Sequence, residues 1–328
     1  MDEATSPAGD PTWVEAGRVA IAATDLVVGA PSGCCFADNG VQKETMTMTS
    51  PTSEPTTLQP LTALHTGSGE PVVLLHGFMT PRCWEPVAAR LSSTCEVFAP
   101  ALTGHWGGPE LRRRFLNVAA LADQIDNQLD ELGWRTCHIA GNSLGAWIGF
   151  ELAARGRART LTAIAPAGGW DCPSLLQLRI GLKFLALLPI VQLGKHLSPA
   201  LRYSTPARRL ALTATSGDPS AVPERAVTTA ITAALHCPAM LPLLIGGLRM
   251  PGPDQLTTLK TPVRLVICEH DRVTPNRSYT MRFLRDLPDP TDLIVLPGAG
   301  HVPMLEAPDR IAALIAEHIH TSIHERVA

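Results

Sequence analysis

The chain has 328 residues, enough for one large α/β domain with an insertion or for two modest domains. Hydrophobic residues make up 45% of it, which supplies a buried core and excludes a disordered composition. The formal net charge is −3 and no dense basic run occurs, so the charge gives no reason to expect a nucleic-acid partner; Arg112-Arg113-Arg114 reads as a solvated helix start.

Residues 1–57 are rich in Ala, Thr, Ser, Gly and Pro and lack sustained periodicity, so a disordered N-terminal extension is expected. Met46 and Met48 stand where a second start could lie. Val19–Val28 is apolar but interrupted by Asp25, which argues against a secretory signal. Eight cysteines, at 34, 35, 83, 95, 137, 172, 237 and 268, form no C-x-x-C pair. That scatter fits neither a disulfide framework nor a zinc site, and a reducing, cytoplasmic setting is expected.

Strand and helix signals alternate from Leu61 onward. The pattern predicts strands over Leu61–His65, Val72–His76, Glu96–Ala99, Thr136–Ala140, Thr160–Ala165, Val263–Cys268 and Asp292–Leu296. Helices are expected over Pro81–Leu91, Phe115–Leu132, Ser143–Leu152, Asn276–Leu287 and Pro303–His320. This alternation implies a doubly wound, mostly parallel sheet. Residues 171–255 interrupt it with helical, proline-broken sequence, read as a cap inserted over the carboxyl edge of the sheet. The core is then 58–170 with 256–328. Leu175–Leu193 approaches the length of a membrane span, but Arg179, Lys183 and Pro189 argue against an integral segment.

The chemistry gathers around Gly141-Asn142-Ser143-Leu144-Gly145, a G-x-S-x-G between an apolar strand and a small-residue helix. That context is what a nucleophile elbow requires: a tight turn that holds the Ser143 hydroxyl above the sheet, beside a helix N-terminus. A serine nucleophile needs a base to take its proton, and the base needs an acid to hold its tautomer. In an open parallel sheet both belong in loops after later strands. Asp271 follows the strand Val263–Cys268, and His301 follows Asp292–Leu296. Glu269 lies near, but position after the strand and the Val273-Thr274-Pro275 that follows favour Asp271. The oxyanion amides are expected at Leu144 and, in the loop after Val72–His76, at Phe78. His76 and Gly77 are placed at the substrate side of that loop, with a structural hydrogen-bonding role as the alternative for His76. His105 and His270 read as loop residues. His318, His320 and His324 read as a solvated helix end, and no metal or cofactor is called for.

On these residues the chain resembles the α/β-hydrolase family of capped, serine-dependent type. The resemblance rests on His76-Gly77-Phe78 after the first long strand, the G-N-S-L-G elbow, His270-Asp271-Arg272-Val273-Thr274-Pro275 and Gly298-Ala299-Gly300-His301-Val302-Pro303. It implies Ser143, Asp271 and His301 as nucleophile, acid and base, and Phe78 and Leu144 as the oxyanion hole. Ala101 and Trp106 depart from the D-x-x-G-H-G that relatives carry after the next strand. Gly145-Ala146 departs from the Gly-Gly of many carbon–carbon bond hydrolases in the family. Serine at the elbow points away from the dehalogenase and epoxide-hydrolase branches, which use a carboxylate there. The expected function is cleavage of a carboxylic ester with an apolar acyl group, on a small lipophilic substrate. A carbon–carbon, lactone or thioester bond stays open on the same triad, as does a non-catalytic ligand-binding role.

Overall fold

The computed structural model of the protein describes residues 58–112, 116–171, 174–247, 252–274, 276–289 and 291–327. The expectations for the N-terminal extension, the second start and Arg113-Arg114 lie outside the described residues. So do Cys34, Cys35 and Cys172; the five described cysteines are buried and outside any disulfide.

Seven strands form one sheet: β1 (Ala63–Thr66), β2 (Glu70–Leu75), β3 (Cys95–Pro100), β4 (Cys137–Asn142), β5 (Ala158–Ile164), β6 (Val263–Cys268) and β7 (Asp292–Leu296). Their order is β1-β3-β2-β4-β5-β6-β7, with β1 antiparallel to β3 and every other pairing parallel. The winding reverses between β2 and β4, so the crevice at the carboxyl ends of those two strands is the expected ligand site. Val72–Leu75 and all of β4 are buried, which is why these strands read as continuous apolar runs instead of alternating ones.

Between the strands run α1 (Glu85–Leu91), α2 (Val118–Glu131) and α3 (Leu144–Ala154). Five helices, α4 (Leu175–His196), α5 (Pro199–Arg202), α6 (Thr205–Thr215), α7 (Glu224–Leu235) and α8 (Met240–Gly247), are inserted between β5 and β6 as the cap. The chain returns through α9 (Asn276–Asp286), α10 (Pro303–Glu306) and α11 (Pro308–Val327). One apolar cluster packs α2, α3 and α9 on one face of the sheet, and a second packs α1 and α11 on the other.

Most element ends shift from the pattern reading, and three of the differences have a local cause. The first turn of the expected Pro81–Leu91 helix is a 3-10 turn over Pro81–Trp84. Helix α2 starts at Val118, where the Asn117 side chain accepts from the Ala120 amide. The last helix is broken at Ala307, because Pro308 offers no N–H and keeps the residue before it out of the helical region.

Helix α4 is long and apolar enough by length and composition to cross a membrane. Its inner side packs against α7 and α8, and the Gln177 amide donates to the Gly247 carbonyl at 2.8 Å. Arg282 on α9 closes the neck of the insertion. Its guanidinium donates to the Gly168 and Trp170 carbonyls at the entry and to the Pro253 carbonyl at the exit.

Candidate active site

Ser143 sits between β4 and α3 with φ 56° and ψ −116°, a conformation that costs a non-glycine residue of order 1–3 kcal/mol. The turn is held from both sides: the Ser143 amide donates to Ile164 O at 3.0 Å and its carbonyl accepts from the Ala167 amide at 3.0 Å. The flanking glycines are required by contact. A Cβ on Gly145 would stand 2.1 Å from the Leu75 carbonyl oxygen, and one on Gly141 2.4 Å from Gly145. Gly77 is close but less tight, since a Cβ there would lie 3.1 Å from the Ser143 Cβ. The loop after β2 is thereby pressed against the elbow. Among the described residues, neither the Phe78 nor the Leu144 amide donates to a protein acceptor, and both residues line the cavity that Ser143 lines.

Asp271 and His301, thirty residues apart, meet at 2.8 Å, with His301 Nδ1 donating to Asp271 Oδ2. The same oxygen accepts from the Thr274 hydroxyl at 2.6 Å, and Oδ1 accepts from the Val273 and Thr274 amides, each at 2.8 Å. Burial pushes the Asp271 carboxyl up, but the facing His301 charge and the hydrogen bonds from His301 and Thr274 outweigh it and hold it below its ordinary value. An ionised Asp271 fixes His301 with its Nδ1 protonated, which leaves Nε2 as the basic nitrogen.

The base loop is anchored at three points. The Asn142 amide, one residue before Ser143, donates to the His301 carbonyl at 2.8 Å and so ties the elbow to the base. The Val302 amide donates to Thr215 O at the end of α6 at 3.0 Å. Glu306 accepts from the Gly300 amide at 2.6 Å, from the Ser216 hydroxyl at 2.8 Å and from the Gly217 and Asp218 amides. Cap and base loop are therefore joined through one carboxylate and one backbone hydrogen bond.

One cavity adjoins the elbow and a second meets it across Phe78 and Phe184. One of about 80 Å³ is lined by Ser143, Leu144, Trp147, Trp170 and Phe184 among others. The other, of about 350 Å³, lies between α4, α6 and α7 and is lined almost wholly by aliphatic side chains, with Val302 and Leu305 at its floor. Phe78 and Phe184, whose rings stand 5.8 Å apart, line both.

Other expectations need correction. His76 lines neither cavity. It is fully buried, its Nδ1 donates to Gly77 O at 2.7 Å and its Nε2 accepts from the Leu102 amide at 3.2 Å. Burial, with His105 beside it, pushes His76 down to about 3, so it is a neutral strut under the Gly77–Phe78 loop, the structural hydrogen-bonding role given as its alternative. Gly77 likewise lines neither cavity; its close approach to Ser143 is the reason for the glycine. His105 is buried, stacks on the Phe78 ring at 5.8 Å and is pushed by burial down to about 4. His318, read as solvated, is 5% exposed and its Nδ1 is bonded at 3.0 Å with the Thr162 hydroxyl on β5. A helix that long turns one stripe inward, and His318 lies on it. Asn142, Thr274 and Glu306 were not singled out from sequence. The first two stand inside the elbow and acid-loop motifs, and that adjacency was the only available signal.

A family model described as "Alpha/beta hydrolase family" matches residues 72–314. The chain is 45% identical over 204 residues to the epoxide hydrolase EphH of Mycobacterium tuberculosis, covering 62% of this chain and 95% of that protein. A thermophilic esterase from Thermogutta terrifontis superposes with a TM-score of 0.60 at 21% identity, over 79% of this chain and 93% of the esterase. The 2-hydroxy-6-oxo-6-phenylhexa-2,4-dienoate hydrolase of Rhodococcus sp. strain RHA1 superposes with a TM-score of 0.60 at 24% identity, over 79% and 94%. These two structures carry the fold alone. With the match spanning sheet, elbow and base loop, the chain belongs to the α/β hydrolase family and is a hydrolase.

Proposed function

We propose that the protein cleaves a carboxylic ester with an apolar acyl group through an acyl-enzyme, with Ser143, His301 and Asp271 as nucleophile, base and acid. The observation that carries this reading is the Asp271–His301 pair, tied through Asn142 to the strained Ser143 turn whose neighbouring amides are unclaimed. His301 Nε2 takes the Ser143 proton as Oγ attacks the carbonyl carbon. The Phe78 and Leu144 amides hold the resulting oxyanion. Collapse expels the alcohol, which leaves with the proton from His301. Water then gives a proton to His301, attacks the acyl carbon and releases the acid, and the proton returns to Ser143. The mostly apolar lining of both cavities, aromatic in the smaller and aliphatic in the larger, supports a lipophilic substrate.

The name of the Mycobacterium tuberculosis relative favours a second reading, epoxide hydrolysis. The chemistry of the elbow weighs against it. A carboxylate that opens an epoxide forms an ester, which water can cleave at the carbonyl; a serine would form an ether, with no carbonyl to attack. The test is hydrolysis of a p-nitrophenyl ester series from acetyl to long acyl chains, run beside styrene oxide, with native protein and Ser143→Ala. Ester turnover that peaks at one chain length and disappears in the variant is the expected result. Diol formation without ester turnover would overturn the ester reading.

A further inference from the structure

We infer that the outer face of the cap docks on the surface of an anionic lipid bilayer, with α4 lying along it. Helix α4 is apolar on every side, a pattern that belongs to buried helices. Yet among its described side chains only Gln177 and Gly181 are buried. Leu175, Leu178, Leu182, Leu185 and Leu193 recur at helical spacing along one outward stripe, Leu175 being 80% and Leu193 63% exposed. Leu201 on α5, and Leu241 and Ile245 on α8, are further exposed aliphatic side chains of the cap. Single exposed leucines are ordinary; a stripe along a 22-residue helix marks an interaction surface.

The charge selects the partner. Residues 172–217 contain six Arg and Lys, at 179, 183, 195, 202, 208 and 209, and no Asp or Glu, in a chain whose formal net charge is −3. Leucines in one stripe with cations beside them are the pattern of a helix lying in a membrane interface, where basic side chains meet anionic headgroups. Arg208 is paired with Glu224, but the exposed Arg179 and Arg209 find no acid within the stretch, so a second copy would set like charge against like. A span through the bilayer is excluded by the inner side of α4, where Ile180 and Phe184 line the cavity of Ser143. One side of the helix therefore faces the reaction cavity and the other the lipid.

The test is flotation of the full-length chain with vesicles of phosphatidylcholine alone or mixed with phosphatidylglycerol. We expect binding to the mixed vesicles, weakened by salt, and little to phosphatidylcholine alone. Leu178→Glu with Leu182→Glu, residues that line neither cavity, should lower partition by about tenfold or more while leaving the thermal midpoint in place. Arg179→Gln with Arg209→Gln should weaken binding to mixed vesicles and reduce its salt dependence. Absence of native protein from the floated fraction overturns the inference. So does a lipid-free dimer that the leucine variants dissociate, or a crosslink joining residues 1–57 to α4, since either names a different occupant. Partition needs no catalysis, so its outcome stands apart from that of the ester assay.

Discussion

Helices α3 and α4 are both apolar on every side, and the fold treats them in opposite ways. Nine of the eleven residues of α3 are buried, because it lies between the sheet and α2. α4 has helices beneath it and nothing from the described residues above it. Composition was therefore sufficient to predict apolar helices in both places and insufficient to say which would be covered. The sheet and its motifs form a closed core; the cap has an inner side that lines the cavity of Ser143 and an outer side that is exposed.

The comparison can be broken most forcefully at the elbow. Ser143→Ala should lower kcat/KM by on the order of 10⁴-fold or more, measured on the best ester, with a thermal midpoint close to native. Comparable activity in that variant would move the chemistry away from the core altogether.

Acid should unfold the core through its buried imidazoles. His76, His105 and His318 are pushed down to about 3, 4 and 4, chiefly by burial, from an ordinary value of 6.5. Below pH 6.5 the unfolded chain binds these protons and the folded chain does not, so stability falls as pH drops and levels off once the folded-state values are passed. Three such groups give a slope of up to about 4 kcal/mol per pH unit between roughly pH 6 and 4, readable by urea titration. The lowered Asp271 carboxyl acts with the same sign. A stability that held level from pH 7 to 5 would contradict the neutral-strut assignment.

A matched pair of truncations sharpens the contrast directly. Leu74→Ala, in the middle of β2 and fully buried, should cost about 2–5 kcal/mol. Leu182→Ala, on the outer stripe of α4, should stay within about 0.5 kcal/mol in lipid-free buffer. Similar losses at both sites would mean that the cap face is packed in the folded chain. The smallest effect is expected inside the cap. Phe184→Ala should raise KM for long acyl esters by roughly tenfold and leave kcat within a few-fold, because it removes binding surface without touching the reacting atoms. An equal loss in kcat would place Phe184 among the groups that position the carbonyl.

Much of this was legible before any coordinates. The bounds of β6 and β7 agree with the apolar runs that predicted them, and the elbow, acid loop and base loop lie at the carboxyl ends of parallel strands as the motifs required. What escaped was contact between distant segments. Asn142 to the His301 carbonyl spans 159 residues, Glu306 to Ser216 spans 90, and Arg282 to Gly168 spans 114. None has a local periodicity to reveal it. The misreading of His318 and the two roles left open for His76 have the same origin, since whether a histidine is wet or dry depends on what the rest of the chain lays over it.

The sequence by itself determined the alternation of strand and helix, the order serine, acid, base, and the glycines that the elbow cannot do without, because each depends on local spacing, turn geometry or side-chain chemistry. Only the tertiary structure decided that Thr274 bonds the Asp271 carboxylate and Asn142 the His301 carbonyl, that His76 bridges the Gly77 and Leu102 backbone, and that α4 carries its leucines outward. Those depend on which surfaces meet, and the free energy of burial is a property of the meeting and not of the residue.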